Sequence, residues 1–185
     1  MQTNGIKKIG DYTVTRILGR GAQACVYLAH NAAGKFFAIK DFNNPANLTA
    51  EVVNLTSFDH VNLIKLYESK ADGVHTRLGD YVLPCTYAVL EPALGGEIFD
   101  FVATGAFPEP IARMYFKKMM DGIKELHTHG VYHRDLKPDN IFLGSDLELK
   151  IADFGMSKNI ADMVGTTTRT RLGTEPYMSP ELLAA

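Results

Sequence analysis

Residues 133–140, HRDLKPDN, constrain what this chain can fold into more than any other stretch. Five ionisable side chains and one proline occupy eight positions, and Pro138 excludes the interior of a helix because it lacks a backbone N–H. Short apolar runs at 131–132 and 141–143 flank the stretch. A polar segment between two apolar runs predicts a loop that the hydrophobic core holds in one conformation.

The residue types in this loop suit a reaction centre. Asp135 can accept a proton, Lys137 supplies a positive charge, and Asn140 offers an amide oxygen that a metal ion can bind. Downstream, the sequence LKIADFG ends an apolar run with Asp153 and then allows a turn at Gly155. Asn140 and Asp153 together would supply the hard oxygen ligands that Mg²⁺ prefers, although either residue is also typical of a cap or a turn.

A glycine-containing segment, LGRGAQACVY at 18–27, lies between two predicted strands. Gly19 and Gly21 would let the backbone come within hydrogen-bonding distance of phosphate oxygens. Glycines are also common in ordinary turns, so this segment alone does not distinguish a phosphate site from a hairpin.

Lys40 and Glu51 are predicted to form an ion pair. Lys40 ends the apolar strand FFAIK, where its ammonium needs an anion unless the side chain reaches solvent. Glu51 lies between Leu48 and Leu55 on the buried face of a helix predicted near 46–58. A carboxylate on that face is costly unless it is paired, which favours Lys40 as its partner. The alternative is a solvated position at the edge of the helix.

The apolar pattern divides the chain into a strand-rich first part and a helical second part, joined near 91–95, which is a two-lobed α+β layout. A long hairpin is predicted at 69–86, and a helix over 111–127 follows from the helical spacing of four apolar residues, Phe116, Met119, Ile123 and Leu126. Residues 155–175 are rich in Thr and Gly without periodicity, so we expect them to be mobile. Strands are predicted at 11–19, 24–30, 35–42, 62–68, 86–91, 131–132, 141–143 and 149–151.

Composition excludes several other classes of protein. The 185 residues carry 19 basic and 21 acidic side chains, a net charge of −2 without a basic block, so nucleic acid is not expected as a partner. An apolar leader and an 18-residue apolar run are both absent from the sequence, so neither secretion nor a membrane anchor is predicted. Cys25 and Cys85 are too few and too far apart for a disulfide framework. We therefore expect an intracellular, cytoplasmic protein.

These motifs, taken together, resemble those of the eukaryotic protein kinases. The set comprises G-x-G followed by Val26, A-I-K at 38–40, HRDLKPDN and DFG at 153–155. The resemblance extends from about Asp11 to the end of the sequence. It implies a two-lobed protein-kinase-like fold, with a β-rich N-lobe at 11–91 and a shortened, mainly helical C-lobe at 92–185.

The resemblance also implies a role for each matching residue, with ATP and Mg²⁺ as cofactors. Asp135 corresponds to the catalytic base that orients the substrate hydroxyl, and Lys137 steadies the γ-phosphate. Asn140 also counts among the catalytic residues and, with Asp153, holds Mg²⁺. Leu90 corresponds to the gatekeeper. The implied ATP-binding residues are Leu18, Gly19, Gly21, Val26, Ala38, Lys40, Glu51, Glu91, Ala93 and Phe142.

Further features imply the substrate and its regulation. Lys137 is typical of kinases that act on serine and threonine, and Arg134 implies control by an upstream kinase that phosphorylates the activation segment. Thr170 matches the usual phosphorylation site best, although the threonines there could simply solvate a loop. GGEIFD at 95–100 resembles the calcium/calmodulin-dependent and AMP-activated kinases, in which case Glu97 and Asp139 would favour basic protein substrates.

Three departures from the family pattern bear on activity. Ala24 replaces the third glycine of the loop, and Glu51 follows Lys40 by only eleven positions. The family's fold also continues past SPE at 179–181 into further helices, so we expect the sequence to be C-terminally incomplete. Two interpretations follow, a protein serine/threonine kinase that transfers phosphate from ATP, or a kinase-like fragment that binds nucleotide or a partner without turnover.

Overall fold

A computed structural model of the chain describes residues 3, 5–56, 58–163 and 173–184. Its residues form two compact units. The first unit comprises Met1–Val52 and Lys65–Pro92, and the second comprises Val53–Ile64 and Ala93–Ala185. The strands are β1 Ile6–Ile9, β2 Tyr12–Arg20, β3 Ala24–His30, β4 Phe36–Phe42, β5 Leu66–Arg77, β6 Val82–Leu90, β7 Gly96–Glu97, β8 Val131–Tyr132, β9 Ile141–Leu143, β10 Leu149–Ile151 and β11 Lys158–Asn159. The helices are α1 Pro45–Leu55, α2 Ile98–Thr104, α3 Glu109–Thr128 and α4 Pro180–Leu183.

The first unit is a closed antiparallel barrel in the strand order β1-β2-β3-β4-β6-β5. Alternating residues of the strands fill its interior, with Ile9, Tyr27, Ile39 and Val89 among the most buried. Strand β1 closes the barrel because it pairs with β2 on one side and β5 on the other. Sequence analysis did not predict this strand, since IKKI is too short to show alternation.

Tyr87 fills the barrel next to two glycines. A Cβ on Gly10 would lie 2.2 Å from the Tyr87 hydroxyl oxygen, and a Cβ on Gly73 would lie 2.3 Å from its ring. Gly10 also has φ +54°, in the left-handed region. Burial raises the pKa of Tyr87 to about 12, with Glu68 adding to the shift. These two glycines are therefore packing requirements of the ring.

Helix α1 confirms the predicted buried face. Leu48, Glu51 and Leu55 are all buried, and the Asn44 side chain accepts the N–H of Ala46 at 3.0 Å as the helix begins. The helix ends at Leu55, three residues short of the predicted end at 58. The chain turns there, with the N–H of residue 58 bonded to the Leu55 carbonyl at 3.3 Å.

The predicted hairpin is also confirmed and is longer than expected. Strands β5 and β6 are its two arms; β5 includes only the last three residues of the predicted strand 62–68, whereas β6 includes all but the last residue of 86–91.

The second unit places α3 against its small sheets, but the predicted apolar face of this helix is partly wrong. Phe116 is 60% exposed, whereas Tyr115, Gly122 and Leu126 are buried. The cause is Gly122, where a Cβ would lie 3.0 Å from Ile151 Cδ1. The helix therefore approaches β10 through a residue without a side chain, which a hydrophobic pattern does not reveal.

Short strands frame the loop at 133–140. Strand β8 precedes the loop and pairs with β11, while β9 follows it in a three-stranded sheet ordered β10-β9-β7. The predicted strands at 131–132, 141–143 and 149–151 are confirmed. Helix α2 and strand β11 were not predicted. Within the described part of the chain, no helix has the length and apolarity needed to cross a membrane.

Candidate functional site

His133 joins the loop at 133–140 to the segment that follows β10, within the second unit. This side chain is 3% exposed, its Nε2–H donates to the Ala152 carbonyl at 2.9 Å, and its Nδ1 accepts the Asp135 N–H at 3.3 Å. Burial lowers the pKa of His133, against smaller opposing effects from Ala152 and the nearby carboxylates. A neutral imidazole with its hydrogen on Nε2 therefore joins the loop to the residue before Asp153.

The carboxylate of Asp135 is the centre of a hydrogen-bond cluster. Its Oδ1 accepts the Thr174 N–H at 3.0 Å and the Thr174 hydroxyl at 2.8 Å. Its Oδ2 receives Lys137 Nζ at 2.9 Å and Asn140 Nδ2 at 3.0 Å. The three residues predicted as catalytic from the sequence thus lie together.

Asp135 is ionised in this setting. Burial raises the pKa of its carboxyl, but hydrogen bonds from Lys137, Thr174 and Asn140, together with the Lys137 charge, outweigh burial and lower the pKa below its ordinary value. A buried carboxylate with four donors is fixed in position and remains a proton acceptor at neutral pH.

Thr174 belongs to this cluster, and sequence analysis did not assign it a role. Lys137 Nζ donates to the Thr174 hydroxyl at 2.7 Å, and this hydroxyl donates in turn to Asp135. The residue lies 39 positions after Asp135. The sequence GTEPYMSPE at 173–181 contains no pattern that singles out this threonine.

Asn140 and Asp153 are the predicted metal ligands, and both lie in the second unit. Asn140 Nδ2 donates to the Asp135 backbone carbonyl at 2.8 Å as well as to the Asp135 carboxylate. The backbone carbonyl of Asn140 accepts the Ala152 N–H at 3.0 Å. Asp153 is exposed and has φ 63°, followed by the fully buried Phe154. Among the described residues, no three His, Cys, Asp or Glu side chains are grouped as metal ligands.

The first unit confirms the predicted ion pair. Lys40 Nζ lies 2.6 Å from Glu51 Oε2, and the side chains are 12% and 2% exposed. Strand register places Val26 opposite Gly19 on one side and opposite Lys40 on the other. A Cβ on Gly19 would meet no atom within 4 Å, so the space beside its Cα is open.

The remaining predicted ATP-binding residues are distributed over both units. Ala38 lies opposite Leu90 in the barrel, and both are buried. Glu91 is tied to Lys65, whose N–H reaches Glu91 Oε2 at 3.3 Å and whose carbonyl accepts the Glu91 N–H at 2.8 Å. Gly21, after β2, is exposed, and the partly buried residues of this set are Leu18 on β2, Ala93 after the first unit, and Phe142 on β9.

The features linked to regulation and substrate lie in the second unit or outside the described residues. Arg134 has φ 66°, and its Nε donates to the Met156 carbonyl at 2.7 Å. Burial raises the pKa of Glu97, and the charges of Asp100 and Asp139 add to the shift, so these carboxylates influence one another. Thr170 lies outside the described residues.

Comparison with known proteins identifies the family. A family model of the protein kinase domain matches residues 12–185. The chain is 36% identical to CBL-interacting serine/threonine-protein kinase 19 of Arabidopsis thaliana over 95% of its own length and 36% of that relative. It is 37% identical to CBL-interacting protein kinase 30 of Oryza sativa subsp. japonica, over 95% of the chain and 37% of the relative. The chain thus spans little more than a third of the length of these relatives, and it belongs to the protein kinase family.

Proposed function

We propose that this protein is a serine/threonine protein kinase, which transfers the γ-phosphoryl group of ATP to a hydroxyl of a protein substrate. The observation that carries the proposal is the Asp135 carboxylate, ionised and fixed by Lys137, Asn140 and Thr174. Its relatives are named as protein kinases, in part as serine/threonine kinases.

Asp135 has the geometry that a base needs for an aliphatic hydroxyl. The Thr174 hydroxyl already donates to Oδ1 at 2.8 Å, within the distance at which a base can orient or accept such a proton. Lys137 adds a positive charge 2.9 Å from the same carboxylate, where it would offset negative charge on a transferred group. Together these residues would orient a serine or threonine hydroxyl for attack.

Asn140 and Asp153 suit Mg²⁺ by the chemistry of their donors. Both hydrogen bonds from Asn140 Nδ2 go to Asp135, which leaves the amide oxygen for a cation, and Asp153 offers an exposed carboxylate. Amide and carboxylate oxygens bound together with phosphate oxygens are typical of Mg²⁺. When bound, ATP with Mg²⁺ supplies the phosphoryl group and offsets its charge.

The proposed nucleotide contacts follow the family pattern residue by residue. The strongest support is the Lys40–Glu51 pair at 2.6 Å, because it fixes an ammonium on β4 opposite Val26, which pairs with Gly19 on its other side. In the first unit the contacts are Leu18, Gly19, Gly21, Val26, Ala38, Lys40, Glu51 and Glu91, with Leu90 as gatekeeper. In the second unit they are Ala93 and Phe142.

Substrate preference and control belong to the same proposal. Glu97, Asp100 and Asp139 give the second unit a group of neighbouring carboxylates, which favours substrates with basic residues near the acceptor hydroxyl. Phosphorylation of Thr170 by an upstream kinase would supply a phosphate for Arg134. A cytoplasmic location is proposed with these features.

The test is transfer of ³²P from Mg-ATP to a basic peptide containing one serine. Asp135→Asn keeps the shape but removes the base, and we expect the rate to fall about 100-fold or more, because general-base assistance contributes roughly 100- to 10,000-fold. Asp121→Asn, an exposed change on α3, serves as the matched control. Equal labelling by the wild type and Asp135→Asn would reject the kinase assignment, and ATP binding without transfer would favour a kinase-like binding protein.

A further inference from the structure

The turn between β2 and β3, residues 20–24, is tied at its tip to a distant part of the first unit. Both ties come from Asn43, which directly follows β4. Its backbone N–H donates to the Gln23 carbonyl at 2.9 Å, and its side-chain Nδ2 donates to the Ala22 carbonyl at 3.0 Å. One residue therefore holds two successive carbonyls of the glycine loop.

The loop is restrained from within as well. The Gly21 N–H donates to the Ala24 carbonyl at 2.9 Å. Ala24, which occupies the position of the family's third glycine, is 5% exposed and lies opposite Phe42, the residue before Asn43. The alanine side chain thus anchors the end of the loop in the barrel, next to the residue that holds its tip.

The same short connector leads into α1. Asn44 accepts the Ala46 N–H at 3.0 Å as the helix begins, and the helix carries Glu51, the partner of Lys40. Because Glu51 follows Lys40 by only eleven positions, the connector has little slack. Displacement of the loop tip must therefore strain the connector, or break the bonds to Asn43.

We propose that Asn43 is a positioning residue that holds the glycine loop in place for the phosphates of a nucleotide. This inference rests on the proposed ATP-binding function of the loop. A loop that is already restrained loses less conformational freedom when a ligand binds, so the tether strengthens nucleotide binding through preorganisation. The hydrogen-bonding capacity of the side chain, rather than its bulk, performs this role, since Asn43 is exposed.

The experiment compares Asn43→Ala, Asn43→Asp and the wild-type chain by amide hydrogen exchange. The reporters are the N–H groups of Gly21 and of residue 43, which donate to Ala24 and Gln23. Loss of one exposed hydrogen bond should raise both exchange rates about two- to ten-fold. Asn43→Asp should change them at least as much, because a carboxylate oxygen would face the Ala22 carbonyl. The N–H of Val89, in the core of the same barrel, should not change.

Isothermal titration with Mg-ATP then measures the consequence for the ligand. We expect the dissociation constant to rise about two- to ten-fold in both Asn43 variants. Asn44→Ala is the matched control, because it removes the cap of α1 and leaves both loop bonds intact, so it should leave the Gly21 rate unchanged.

Each result has a distinct meaning. Wild-type exchange rates at Gly21 and residue 43 in Asn43→Ala would overturn the tether. Faster exchange together with an unchanged dissociation constant would overturn its role in nucleotide binding. If exchange is faster in Asn43→Ala but the wild-type protein itself binds no Mg-ATP, the tether is supported and the proposed function is rejected.

Discussion

Thr174 illustrates how a single hydroxyl organises the cluster around Asp135. It accepts a hydrogen bond from Lys137 and donates one to Asp135, so it joins two residues that the proposed reaction needs. The backbone N–H of Thr174 also bonds to Asp135. Removal of the hydroxyl would therefore leave the segment attached to Asp135 through the backbone, but Lys137 would keep only its contact with Asp135.

Substitution of this residue gives a prediction about rate. Thr174→Val replaces the hydroxyl with a methyl group of similar size, and we expect phosphoryl transfer to fall about 10- to 100-fold, since small displacements of reacting groups have effects of this size. Thr174→Ser restores the hydroxyl and should retain most of the activity. The measurement is the initial rate of ³²P transfer to the peptide. Equal rates for the Val and Ser variants would show that the hydroxyl plays no part.

Residue types and spacing predicted most members of the site, but not those that depend on distant contacts. Asp135, Lys137 and Asn140 lie within six residues, so their proximity follows from the sequence itself. Glu51 was predicted because a carboxylate on a buried helical face needs a partner. Thr174 and Asn43 were missed because each acts through tertiary contacts, 39 and 21 residues away along the chain.

At the scale of elements, β1 determines whether the barrel has free edges. Without it, β2 and β5 would each expose unpaired backbone groups, which promote association between chains. Ile6 and Ile9 of this strand are 3% and 0% exposed, so the strand also contributes to the core. Lys7 adds an exposed ion pair with Asp80 at 2.9 Å, which contributes little.

We therefore expect deletion of residues 1–9 to lower the free energy of unfolding substantially. Burial of two isoleucine side chains contributes about 3–6 kcal/mol as an upper range, and we expect the urea midpoint to fall accordingly. Light scattering should show association of the shortened chain. Lys8→Ala, at an exposed position of β1, is the control. An unchanged midpoint would mean that the strand does not belong to the stable barrel.

Elements with a strong period were predicted, and short or glycine-dependent ones were not. Helix α1 and the β5–β6 hairpin follow from periodicity, because many residues repeat the same pattern. The seven-residue α2 is only about two turns long and has no buried side chain in the structure, so its apolar residues do not mark an inward face. The face of α3 that is buried depends on Gly122, because a residue without a side chain lets the helix approach β10. A hydrophobic pattern does not show this contact.

At the scale of the whole molecule, the sequence identifies a protein kinase because its motifs come from both units. The glycine segment, Lys40 and Glu51 belong to the first unit, while Asp135 and Asp153 belong to the second. Each motif alone has an ordinary structural explanation, such as a turn, a cap or a surface charge. Their order along one chain is what makes the family assignment specific.

The stability of the whole chain should depend on pH through Asp41, a charge inside the first unit. Burial raises the pKa of Asp41 above its ordinary value of 3.8, and the opposing attraction of His75, whose Nδ1 is 3.7 Å away, and of Arg77 is smaller. A carboxyl whose pKa is raised by folding destabilises the folded state once it is ionised. The free energy of unfolding is therefore not reduced by Asp41 below pH 3.8, and it is reduced at neutral pH.

Asp41→Asn removes this ionisation and keeps the size of the side chain. We expect the melting temperature of the variant to exceed that of the wild type at pH 7, because the neutral amide avoids the cost of burying a charge. The difference should shrink as the pH falls through 3.8, because below this pH the wild-type carboxyl is protonated in both the folded and unfolded states. Thermal unfolding of both chains across this range, followed by circular dichroism, measures it. A variant that is less stable than the wild type at pH 7 would mean that attraction to His75 and Arg77, rather than burial, dominates at Asp41.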